Sequence, residues 1–188
     1  MRSAFSKTWL LLPAFALGLG AQEQGLPPDW DVRAILKEIS AHAGRLEKLL
    51  EQVNPQEWVE KGASDTYVAQ RNSAKAQARA LSAEALELGS NPERLSLALQ
   101  TFFRMQALEF MLPSLAEGAG RYGGTGVAGQ VMGLVAENGA NRERFQKYIV
   151  ELAAEREQQF RVMDQEAQRC RGFLARQPAD RPTKSRRK

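Results

Sequence analysis

Two residue types that commonly build chemical sites are almost missing. The 188-residue chain has one cysteine, Cys170, and one histidine, His42. A disulfide-built miniprotein, a Cys/His zinc site and a c-type haem attachment all need more of these residues, so all three are excluded. A bundle di-iron site needs two Glu-x-x-His motifs and two further glutamates. One histidine cannot supply them. Glu38 and His42 are four residues apart and share a helix face. His42 falls on an apolar stripe, however, where a core imidazole is the common outcome, so no metal is expected. There is no Ser-centred elbow and no second histidine to activate a nucleophile. The expectation is a non-enzymatic protein without a cofactor.

Long apolar runs are also absent. The run Trp9–Leu19 has 11 residues, whereas a membrane-spanning helix needs about 20. Arg2 and Lys7 precede it, and the small residues Gly18, Gly20 and Ala21 stand at its exit. Positive start, short apolar stretch and small exit are the pattern of a removed secretory signal, expected over residues 1–21. The cut falls after Ala21 or Gly20. With no cysteine at that junction, a lipid-anchored precursor is not expected. The expected location is therefore exported, periplasmic or secreted.

Charge of one sign is missing from the body of the chain. The whole sequence is at +4, but residues 22–175 carry 18 basic and 21 acidic residues. The basic excess lies at the ends. The last 13 residues hold Arg176, Arg181, Lys184, Arg186, Arg187 and Lys188 against Asp180 alone. This tail, 176–188, has no apolar periodicity and is expected to be disordered, like the leader 22–28. It is a candidate contact for a polyanion such as anionic lipid head groups or acidic envelope polymers. Few aromatics accompany its charges, so base stacking and specific nucleic-acid binding are not supported.

No segment alternates with period two and β-branched residues, so strands are not expected. Helical stripes dominate instead. Val32, Ile35, Leu36, Ile39, His42, Ala43, Leu46, Leu49, Leu50 and Val53 form the first, which Pro55 should end. Asn54-Pro55-Gln56-Glu57 starts a short helix that lays Trp58 over one end of the core. Tyr67, Arg71, Ala74, Ala78, Leu81, Ala85 and Leu88 form the second long stripe, with Gly89 as its stop. A third helix over about 92–117 is the most apolar, expected to be buried on most sides and kinked or ended by Pro113. The last stripe runs from Phe145 through Tyr148, Ile149, Leu152, Ala153, Phe160, Met163, Ala167 and Cys170 to Leu174. Glu143 with Lys147 and Glu157 with Arg161 are candidate i,i+4 pairs. The fold class is all-α: a single elongated up-and-down bundle over 29–175, with about four long helices, one short helix and a Gly-rich loop. A helical dimer sharing the same stripes is the alternative.

The Gly-rich segment 118–139 holds 8 of the 15 glycines, and at least its first half should be a loop. Val127 to Glu137 form a short helix, with Val131, Leu134 and Val135 on one side. Gly118-x-Gly120-x-x-Gly123 and Gly124-x-Gly126-x-x-Gly129 both match a dinucleotide fingerprint. That motif works only between a strand and a helix, and a helix precedes it here, so the matches follow from composition. Arg121 and Tyr122, at the middle of the segment, are the candidate partner contacts of the body. Cys170 is expected to be a buried small hydrophobe, with an intermolecular disulfide as its alternative. Arg71, Arg156 and Gln159 lie near apolar stripes and either pair with glutamates inside the bundle or mark a stripe that rotates toward solvent.

The functional expectation is a binding or structural protein of the cell envelope, acting on a protein partner or as a homo-oligomer. Attachment of the basic tail to an anionic surface is one alternative. A small-ligand carrier or enzyme with a pocket between helices, near Arg71, Trp58 or His42, is another.

Overall fold

The computed structural model describes residues 29–176. The signal, the leader and the tail residues Arg181, Lys184, Arg186, Arg187 and Lys188 lie outside them. Six helices follow in order: α1 Asp29–Gln52, α2 Pro55–Glu60, α3 Thr66–Ser90, α4 Leu95–Gly118, α5 Thr125–Glu137 and α6 Gly139–Arg176. No strand occurs among the described residues. The all-α bundle read from the stripes is the observed fold.

The helices run up, down, up and down. Arg33 of α1 reaches the Gly89 carbonyl of α3, Ser40 meets Ser82, and Glu47 meets Arg79. As the α1 number rises, the α3 number falls, so the two are antiparallel. Their contact is close because α3 presents Ala74, Ala78 and Ala85, each fully buried, toward the α1 stripe. Small side chains let helix backbones approach. The Ser40 and Ser82 hydroxyls, 2.9 Å apart, satisfy each other within that interface.

α3 and α4 are antiparallel in the same way, through Glu84–Arg104 at one level and Gln70–Met111 at another. The fourth column is α5 and α6 together. They are divided only by Asn138, whose backbone stays right-handed helical, and the Arg142 amide donates to its carbonyl. Along this column Asn138 and Arg142 meet Glu109, Phe145 meets Phe102, and Arg156 meets Glu93. The column thus runs antiparallel to α4. Both α1 and α4 pack against α3 and against the α5–α6 column.

The Gly-rich segment is not a loop. Ala119–Gly123 forms a wider π turn that continues α4, and α5 begins at Thr125. Only Gly124 breaks the helical path, with φ at +112°, a conformation that glycine adopts without strain. Glycine content misled the expectation because two of these glycines serve close packing. A Cβ at Gly118 would stand 2.8 Å from Tyr67 and 3.0 Å from Trp58, and one at Gly123 would stand 2.5 Å from the Trp58 indole nitrogen. Trp58 is buried beneath this turn and Tyr67 meets its ring edge-on, with centroids 5.6 Å apart. The short helix α2 does cover the end of the core.

Three further expectations are corrected. Pro113 neither ends nor breaks α4, which continues to Gly118. Its ring sits on the exposed face, and Leu112 and Leu115 on either side are buried and hold the helix in place. α4 is not buried on most sides, since Phe103 and Phe110 face outward. The α6 stripe is core only as far as Leu152; Phe160, Met163, Leu174 and Cys170 are exposed. α6 has 38 residues and α4, which it accompanies, has 24. At about 1.5 Å per residue, the last 20 or so residues of α6 pass beyond the end of the bundle.

Candidate functional site

A polar cleft lies where α5 gives way to α6. It has a volume of about 320 Å³ and is lined by Glu38, Ala41, His42 and Arg45 of α1, with Glu137 and Asn141 across from them. Arg45 donates to Glu137. Below, Glu109 accepts from Asn138 at 3.3 Å and from Arg142 at 2.7 Å. His42 is buried, and burial is the main cause that holds its imidazole below the ordinary pKa of 6.5; the Arg45 charge acts in the same direction, against Glu137 and Glu109. His42 is therefore a neutral core-edge imidazole near pH 7. Two acids are matched by bases, Glu137 by Arg45 and Glu109 by Arg142. No group of three or more His, Cys, Asp or Glu side chains is placed to hold a metal among the described residues.

The Arg71 side chain carries a buried Nε without a hydrogen-bond partner. Arg156 pairs with Glu93 at 2.8 Å and with Gln159 at 2.9 Å. Arg71, Trp58 and His42 do not converge. None of them lines the groove between α3 and α4, and of the three only His42 lines the cleft above. Of the three positions near which an inter-helix pocket was expected, His42 lines the cleft between α1 and the α5–α6 junction.

The groove between α3 and α4 is larger. One part, about 630 Å³, is lined by Ser64, Thr66, Tyr67, Gln70, Met111 and Ser114 among others. The adjoining part, about 900 Å³, shares Gln70, Met111 and Ser114 and adds Phe103, Phe110 and Arg142. Phe110 is 90% exposed and Phe103 60%. A phenylalanine left in water on an open groove forgoes about 1.5–3 kcal/mol of burial. Phe103 and Phe110 are seven residues apart on the outward side of α4, with Gln70, Ser114 and Arg142 around them.

Arg121 and Tyr122 lie in the π turn Ala119–Gly123. Arg121 pairs with Glu117 one turn back, at 3.0 Å. Tyr122 packs partly buried against the core, and its carbonyl accepts from Lys61 at 2.8 Å. The two expected i,i+4 pairs of α6 are not formed; Lys147 reaches Glu151 instead. Residues that sequence reasoning missed are Phe103 and Phe110, together with the outward state of Phe160 and Met163. Phe103 and Phe110, seven residues apart, fall between the buried positions of α4, and that offset was the available signal; Phe160 and Met163 continue the buried periodicity of α6, where the signal was the length of that helix.

Among the described residues, no helix is long and apolar enough to cross a membrane. No family model, curated protein or solved structure matches this chain.

Proposed function

We propose that this chain is an exported, non-enzymatic helical-bundle protein of the cell envelope that acts by presenting helix faces to another protein. The observation that carries the reading is the outward pair Phe103 and Phe110 on the α3–α4 groove. The amino-terminal pattern of charge, short apolar run and small exit supports export. The test is a photo-crosslinking residue at position 110, irradiated in intact cells. The expected result is a discrete cross-linked protein in the envelope fraction. A chain that stays uncrosslinked, or that accumulates in the cytoplasm, overturns the proposal.

A second reading rests on the basic tail, whose charge opposes the mildly acidic body. Arg181, Lys184, Arg186, Arg187 and Lys188 then attach the protein to an anionic surface, salt-dependently and without sequence or shape specificity. Removing residues 176–188 should abolish retention on anionic vesicles at low salt. Equal retention with and without the tail ends this reading.

A further inference from the structure

We propose that the free end of α6 docks a second copy of this chain, the two overhanging helices pairing antiparallel so that the bundles lie end to end. This deepens the interaction reading above but uses a different face, so either can fail alone.

The stripe itself specifies a helix as its occupant. Phe160, Met163, Ala167, Cys170 and Leu174 are spaced three, four, three and four apart. That is the a/d seam of a coiled coil. It continues the face that buries Phe145, Ile149 and Leu152 inside the bundle, yet Phe160 is 72% exposed, Met163 69% and Leu174 65%. At its base an open step of about 470 Å³ lies between Phe160 and Leu95, the first residue of α4. The overhang is about 20 residues, or about 30 Å, long.

Sterics fix the direction. The seam points to the same side as the α6 core face, so its occupant lies over the end of the bundle. In a parallel pair, the second copy's Phe145–Leu152 segment would run down that face into space already filled by Phe102 and the Pro92 turn, where the Tyr148 hydroxyl donates to the Pro92 carbonyl at 2.7 Å. An antiparallel partner enters from beyond the tip of α6 and meets no obstacle among the described residues.

Charge complements the ends of the joint. Residues 157–166 carry Glu157, Asp164 and Glu166 against Arg161. Residues 167–176 carry Arg169, Arg171 and Arg176 and no acid. The overhang is acidic at its base and basic at its tip. In the antiparallel layers Glu157 of each copy flanks the partner's Arg171, while Asp164 and Glu166 meet their own counterparts at the middle.

Cys170 gives the arrangement a signature. In antiparallel a-to-d layers, Phe160 faces the partner's Cys170 and Met163 faces the partner's Ala167. The two Cys170 residues are then about 15 Å apart along the axis, too far for a disulfide, which needs Cα atoms within about 7 Å. In a parallel pair they would be direct neighbours.

The test uses the protein as it accumulates in cells, studied by sedimentation and small-angle scattering over a range of concentration. Expected are a two-chain particle about 100 Å long, from two bundles and one paired joint, and no Cys170–Cys170 disulfide after oxidation. Phe160→Glu with Met163→Glu should return it to a single chain, as should Ala167→Lys alone, with helicity unchanged because these side chains lie outside the core. Phe110→Glu should leave the two-chain particle intact. A single chain at every concentration overturns the proposal. So does a dimer that survives the overhang substitutions, or one that oxidises readily through Cys170.

Discussion

Trp58 lies so close to Gly123 that a Cβ on the glycine would stand 2.5 Å from the indole nitrogen. Gly118 is in the same position toward Tyr67, at 2.8 Å. The aromatic pair and the two glycines form the closed end of the bundle. The indole is buried and locked by its edge-on contact with Tyr67, so it cannot yield cheaply.

Gly123→Ala and Gly118→Ala should each lower stability by about 1–3 kcal/mol, the cost of overpacking. Gly129→Ala should do the opposite. Nothing lies within 4 Å of a Cβ there, and alanine in a helix interior is favoured over glycine by about 1 kcal/mol. Urea midpoints for the three variants check the contrast. Equal effects would show that composition, not the Trp58 contact, governs the segment.

His42 should make stability depend on pH below 6.5. Its folded-state pKa is lowered, first by burial and then by Arg45, so the unfolded chain binds the proton more readily. Stability from this residue is whole above pH 6.5 and is lost as pH falls from there toward the folded-state pKa. The difference in unfolding free energy between the native chain and His42→Gln, measured from pH 8 to pH 5, should shrink as pH falls. A constant difference would contradict the assignment.

Glu84 and Arg104 form the ion pair most worth testing. Arg104 donates to both Glu84 oxygens at 2.8 Å and also to Gln77. The Glu84 hydrogen bond holds the guanidinium above its usual range. Both side chains are largely sheltered, unlike Glu166 and Arg169 on the overhang. Glu84→Ala should cost about 1–3 kcal/mol through an unsatisfied sheltered charge. Glu166→Ala should change the stability of the dilute single chain by less than about 0.5 kcal/mol. Denaturation at low and high salt measures both.

Leu152 and Phe160 sit on one stripe but on opposite sides of the bundle's edge. Leu152→Ala should cost about 2–5 kcal/mol. Phe160→Ala should leave the dilute single chain within about 0.5 kcal/mol of its original stability. Similar losses at the two positions would place the edge of the core further along α6.

The stripe of α1 shows how much was legible in the sequence. Every residue of Val32, Ile35, Leu36, Ile39, His42, Ala43, Leu46, Leu49, Leu50 and Val53 is buried, because an amphipathic helix has only one way to hide its apolar face. The Trp58 cover over the core end followed from Asn54-Pro55 in the same manner. The segment 118–139 was misread, because glycine marks a flexible connection and a close packing contact with the same letter. Only the position of the Trp58 ring separates the two.

The sequence by itself determined the long helices and their order, since 3.6-residue periodicity is a local property. It also excluded the chemistries that require several cysteines or histidines. The tertiary structure alone decided which apolar residues find a partner. Phe145 and Phe160 carry the same pattern on one helix, but α1 and α4 reach the first and stop short of the second. Burial depends on the relative lengths of neighbouring columns, which no stripe contains.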